Sequence, residues 1–230
     1  MFWNEKGSEK PYQVPDDVVD LQFRINCKCL PLEHAGQLSS AIHEVLPWIA
    51  EEEQAGVHLI HGAESGNGWQ RPENAANELL HLSKRIRMSL RMPKHRIDDA
   101  HLLTGNILRI DQYEIEVGKA TIKPLSIQGT IFSRYVISHE NETEDQFLQR
   151  IYDEIKSLNV NVNKLLCGKT HRMQGREQEL FTRSVMLAEL KPQDSVKVQQ
   201  YGLGTGRTEG CGLFVPHKGI EAVKDAEEPV

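Results

Sequence analysis

Apolar positions along the chain change their period in a repeating order. From Val18 to Leu30 they alternate, with Val19, Leu21, Phe23, Ile25 and Cys27 on one face, which predicts a strand. From about Glu33 to Glu53 the spacing of Leu38, Ile42, Val45 and Ile49 is helical. Val57 to His61 reads as a short strand, followed by a Gly-Asn-Gly loop at 66–68. Leu80 to Met92 predicts a strand with Leu82, Ile86, Met88, Leu90 and Met92 on one side and Arg85, Arg87, Ser89 and Arg91 on the other. A short helix near 98–103 ends at Gly105, and Asn106 to Val117 predicts a strand pair or one bent strand. The order is β-α-β-β-α-β.

The second half repeats that order. A strand is expected over Ile122 to Ser138, then a helix over about Glu144 to Leu158 with Phe147, Ile151, Ile155 and Leu158 on one stripe. Strands at Lys164 to Arg172 and Leu180 to Leu190 follow, then a helix over Gln193 to Tyr201, a glycine-rich loop and a last strand at Gly212 to Pro216. No residue identity links the halves, so the repeat is one of pattern. The fold class expected is α+β, with two ferredoxin-like (RRM-like) domains at 18–118 and 119–220, joined near Gly118. Residues 1–17 and the acidic stretch 221–230 are expected to be tails.

Composition narrows the function classes. At 230 residues with 39% hydrophobic content the chain can form two cores, and no apolar run is long enough to span a membrane. The start lacks the blocks of a signal peptide, so a cytoplasmic protein is expected. Cys27, Cys29, Cys167 and Cys211 form no Cys-x-x-Cys pair and read as reduced strand or core residues. A net charge of -6 excludes coating of nucleic acid by bulk attraction, so any RNA binding must come from locally sorted charge.

The most specific local feature is Gly202-Leu-Gly204-Thr-Gly206-Arg207-Thr-Glu-Gly210-Cys-Gly212, between a helix and a strand. A dinucleotide fingerprint would follow a strand and open a helix, and a nucleotide phosphate loop would end in Gly-Lys-Ser/Thr, so both fail on context. Glycines at this density let backbone N–H groups approach a phosphate chain, with Arg207 as the charge; the alternative is a plain flexible hairpin.

This loop, followed by Leu213-Phe-Val-Pro-His217-Lys218-Gly219, resembles the glycine-rich signature of the RAMP superfamily of CRISPR proteins. Within it the chain is most similar to the repeat-processing endoribonucleases, in particular the branch named for Myxococcus. Leu30-Pro-Leu-Glu-His34 and Gly56-Val-His58-Leu-Ile-His61-Gly62 resemble that branch too, and the likeness runs from about Val18 to Ile220. Several RAMP proteins that carry the loop are non-cleaving scaffold subunits, so a scaffold that holds guide RNA in an interference complex is the alternative.

The resemblance implies cleavage of CRISPR precursor RNA at a repeat hairpin, without metal or other cofactor. The 2'-hydroxyl would attack the adjacent phosphate, leaving a 2',3'-cyclic phosphate, and the crRNA hairpin would be retained. Retention would allow membership of an interference complex. Such a reaction needs a base, an acid and positive charge for the phosphorane. Histidine fits because its ordinary pKa lies near neutrality. In this family the catalytic histidine belongs to the first helix or the residues just after it. His34, at the helix start where N–H groups and the dipole welcome a phosphate, is the first candidate or else a capping or packing residue. His43, the runner-up or else a solvated surface residue, is nine residues on and lies about half a turn away, so both cannot face one phosphate. His58, on the second strand, is the third candidate or else a core histidine; His61 and His217 are weaker ones.

Charge sorting supports RNA as ligand. Lys84 to Arg96 holds six Lys or Arg residues and no acid, and the alternation puts Arg85, Arg87 and Arg91 together. A second acid-free run carries Lys164, Lys169, Arg172 and Arg176, and Lys218 follows the glycine loop. Either run alone would read as a solvated face. At 6%, aromatic content is low for a stacking platform, which favours a hairpin over sequence-tolerant single-strand binding.

Overall fold

The computed structural model describes residues 12–62 and 78–217. The expected loop at 66–68, Lys218 and the acidic stretch 221–230 lie outside these residues.

The first unit contains β1 (Val18–Asn26), β2 (Cys29–Pro31), α1 (Ala35–Val45), β3 (Gly56–Val57), β4 (Leu79–His81), β5 (Arg87–Pro93), α2 (Ile97–Ala100), β6 (Ile107–Ile110) and β7 (Tyr113–Lys123). Its main sheet has the order β3-β5-β1-β7-β6, every neighbouring pair antiparallel. The second unit contains β8 (Ile131–Ser138), α3 (Glu144–Ser157), β9 (Lys164–Gln174), β10 (Glu179–Ala188), α4 (Pro192–Tyr201) and β11 (Val215–Pro216), in the sheet order β11-β8-β10-β9. In each, the first strand and the strand after the first helix are separated by an antiparallel third strand. This split β-α-β arrangement is the ferredoxin-like topology, present twice.

Local chemistry sets the element ends. Pro47 stops α1 after Val45, and the chain continues as a short 3-10 turn over Pro47–Ala50, so the α-helix read to Glu53 ends about two turns early. Thr143 and Gln146 form a reciprocal capping box at the start of α3. The strand expected from Leu80 to Met92 is two strands. A turn over 82–86, to whose carbonyls Arg87 donates from Nη1 at 3.0 to 3.4 Å, lets β4 leave the main sheet and pair with β2 instead. Gly118 lies inside β7, and the chain crosses between the sheets over 124–130, where the Gln199 side chain bonds both Ser126 N and O.

Each sheet buries one face under its helices. Leu38, Ile42 and Leu46 pack with Leu21, Phe23, Met88 and Leu90 in the first core; Phe147, Ile151 and Ile155 pack with Ile131, Val136 and Val185 in the second. Burial of each such side chain contributes roughly 1.5–3 kcal/mol. A third cluster of Ala35, Tyr135, Met173 and Cys211, lined by Leu59, Ile137 and Leu180, joins the units. No helix among the described residues is long and apolar enough to cross a membrane.

Candidate active site

Helix α1 carries three functionally distinct stripes. His34, Leu38 and Ile42 recur every four residues and share the face pressed on the first sheet. His34 is 2% exposed. Its Nδ1 lies 2.9 Å from the Pro31 carbonyl, which only accepts, so Nδ1 carries the proton. Its Nε2 accepts the Ile60 N–H at 3.1 Å. Both ring nitrogens of this neutral imidazole are engaged by main chain, and neither has a lone pair or proton left for a reacting phosphate. The expectation that His34 presents a free imidazole at the helix start is therefore corrected: its ring fastens β2 and the 58–60 segment to the helix.

His43 is different. It is half-buried, and its Nδ1 donates to the Ser39 carbonyl at 2.7 Å, one turn back, which makes Nε2 the acceptor of the neutral ring. Ala35, Ser39 and His43 form a second stripe at four-residue spacing. Its first member packs against Cys211 of the glycine-rich loop and Tyr135 and Met173 of the second sheet. A third stripe, adjoining it, begins at Gly36, where a Cβ would collide with the Gly175 carbonyl and crowd Arg176 N. This side of α1 thus faces the second unit at the tip of the β9–β10 hairpin. Two carboxylates hold that tip: Glu33 accepts the Gln174 N–H at 3.2 Å, and Glu209 accepts the Arg176 N–H at 2.6 Å.

His58 belongs to a buried charge cluster. Its Nε2 stands 3.3 Å from Asp20 Oδ1, and the Arg91 guanidinium grips the same carboxylate from Nε at 2.8 Å and Nη2 at 3.1 Å. Burial alone would raise the Asp20 carboxyl, but Arg91 and His58 hold it well below the usual carboxylate range. Burial pushes the His58 imidazole down, against the pull of Asp20 and with the repulsion of Arg91 and Arg207. Arg91 is fully buried and donates from Nη1 to the carbonyls of Gln199 and Phe214 in the second unit. Arg207 donates to the carbonyls of Ala55, Gln54 and Gln200, and burial, then Arg91, lowers its pKa to about 10. Arg91 and Arg207, both expected on RNA phosphates, are instead struts of the interdomain seam, because their guanidinium groups are spent on main-chain carbonyls across it.

The glycine loop is a wedge in the same seam. All five glycines have positive φ, from 66° to 84°. The N–H groups expected to cradle phosphate are largely spent inside the protein: Gly202 on Val198 O, Gly204 on Glu154 Oε2, Gly210 on Arg207 O and Gly212 on Tyr135 O. Gly210 approaches Leu59 so closely that a Cβ would overlap that side chain, so glycine here serves packing. The phosphate-cradle expectation for Gly202, Gly204, Gly210 and Gly212 is corrected on that ground. For Gly206 the carbonyl accepts the N–H groups of Glu209 and Cys211, which closes the turn.

The remaining basic positions are on the surface. Arg85 is exposed in the 82–86 turn, and Arg87 is half-buried above it. Lys169 and Arg172 are exposed on β9, an edge strand; Arg172 pairs with Glu179 at 3.4 Å and lies over the Phe181 ring. Sequence reasoning missed Asp20, Glu33, Gly36 and Glu209. The only available signal was for Gly36, a glycine in the first turn of a helix where nothing local requires one.

Comparison with known proteins agrees with this architecture. A solved structure described as CRISPR associated protein Cas6 superposes with a TM-score of 0.60 at 16% identity, covering 87% of this chain and 100% of that one. One from the characterization of a Cas6-related gene from Pyrococcus furiosus has a TM-score of 0.60 at 13% identity, covering 86% and 97%. In sequence the chain is 27% identical over 198 residues to the CRISPR-associated endonuclease Cas6 of Myxococcus xanthus (strain DK1622), covering 86% of this chain and 81% of that relative. The family model described as Cas6 Crispr matches residues 19–219. Two ferredoxin-like units, the glycine-rich wedge and a match over nearly the whole length place this chain in the Cas6 family of CRISPR proteins.

Proposed function

We propose that the chain is an endoribonuclease that cuts CRISPR precursor RNA at the repeat hairpin, with His43 as its catalytic base. The observation that carries the assignment is the 2.7 Å bond from His43 Nδ1–H to the Ser39 carbonyl, which leaves Nε2 of a half-buried neutral ring as an acceptor, on the helix whose first turn packs on the second unit. His43 Nε2 takes the proton of the 2'-hydroxyl, and O2' bonds to phosphorus. The P–O5' bond breaks as the leaving oxygen takes a proton from water, giving a 2',3'-cyclic phosphate and a 5'-hydroxyl. Exposed Arg85, Lys169 and Arg172 supply contacts to the stem phosphates, which are read by shape and charge more than by base identity. Retention of the hairpin would allow the protein to join other CRISPR-associated subunits.

End-labelled repeat RNA incubated with purified protein, with and without EDTA, tests this. Cutting in both, its loss in His43→Ala with hairpin binding kept, and resistance of RNA with a deoxyribose at the attacking position are the expected results. No cutting by the wild type with tight binding would instead identify a scaffold subunit.

A further inference from the structure

We infer that Arg176, at the tip of the β9–β10 hairpin, is a second catalytic residue whose guanidinium neutralises the scissile phosphate opposite His43. The inference rests on the assignment of His43. Gly36 and His43 are seven residues apart on α1, so they lie within about 20° of one face and about 10 Å apart along the axis. Arg176 main chain sits directly on Gly36, an approach that any side chain at that position would block. The His43 ring leans back one turn to Ser39 O, toward the end of the helix that holds Gly36. An extended arginine side chain spans most of the remaining gap, so the two groups can bracket one phosphodiester.

The charge is available and its backbone is held. Arg176 is exposed and makes no ion pair among the described residues, unlike Arg172 on the same hairpin, which is paired to Glu179. Of the acids around it, Glu209 spends an oxygen on Arg176 N–H and Glu33 spends one on Gln174 N–H, while Glu177 is exposed beside it in sequence. Two carboxylates engaging main-chain N–H groups fix the tip and leave the guanidinium to an incoming anion. A planar fork matches two non-bridging phosphate oxygens and can strengthen its bonds as charge builds in the phosphorane.

Single-turnover cleavage of repeat RNA at saturating protein, alongside binding of the uncleavable deoxyribose substrate, tests the role. Arg176→Ala should cut about 10²-fold or more slowly, bind the uncleavable RNA within a few-fold of wild type, and regain part of its rate when free guanidinium ion is added. Arg176→Lys should fall between. A wild-type cleavage rate in Arg176→Ala, or a loss of affinity equal to the loss of rate, overturns the inference and leaves the proposed function standing. Absence of cutting by the wild type overturns both.

Discussion

An imidazole that gives Nδ1–H to a main-chain carbonyl keeps Nε2 for chemistry, so His43→Ala should slow cleavage about 10²- to 10⁴-fold, measured in single turnover. His34→Ala should act on stability instead. It strands the Ile60 N–H and the Pro31 carbonyl in the interior and should lower unfolding free energy by about 2–4 kcal/mol in a denaturant titration. His58 brings a pH dependence. Its folded pKa is depressed, so the unfolded chain binds the extra proton first, and stability falls as pH drops below the ordinary histidine value of 6.5, at a slope of at most about 1.4 kcal/mol per pH unit. Thermal unfolding from pH 7.5 downward should show this slope, and His58→Gln should flatten it. The packing role of His34, the alternative to catalysis, was legible: it stands four residues before Leu38 and eight before Ile42, on the apolar stripe itself. Arg91 was not legible, because strand alternation shows which face a side chain takes and not what covers that face.

At the scale of elements, the sequence pattern located the four α-helices among the described residues, and failed where a short turn interrupts a run. Leu82 and Ile86 continue the alternation of β5, yet the turn between them sends β4 to β2. Glycine spacing drew attention to the 202–212 loop, but the same spacing serves a phosphate cradle and a packing wedge; only the partners of its N–H groups separate the two. The junction of α1 with the β9–β10 hairpin depends on residues more than 130 positions apart, Glu33 and Gln174, and no local pattern reports it. Gly36→Ala tests that junction. The added methyl meets the Gly175 carbonyl, and the displaced tip should cost about 1–3 kcal/mol of stability. Cleavage should slow more than hairpin binding weakens, as read by single-turnover kinetics and filter binding.

For the molecule as a whole, the seam is held by charges that have left water. Removing Asp20 leaves the Arg91 guanidinium buried without an anion, so Asp20→Ala should destabilise by about 3–5 kcal/mol, whereas Asp20→Leu with Arg91→Met removes both charges and keeps only the cost of the stranded Gln199 and Phe214 carbonyls. Denaturant unfolding of Asp20→Ala, and of Asp20→Leu, Arg91→Met and their combination as a double-mutant cycle, measures the difference. The ferredoxin repeat was visible in the order of periods along the chain, but the packing of one unit on the other was not, since Arg91, Arg207 and Gln199 act across it as individual side chains. The bonds from Arg91 reach 108 and 123 residues ahead, to Gln199 and Phe214. A nascent chain on the ribosome therefore finishes its N-terminal half long before that half's most deeply sunk cation can meet its acceptors. The N-terminal half should gain its full stability only once synthesis has passed Phe214, and a fragment ending at Lys123 should be far more protease-sensitive than the same residues in the complete protein.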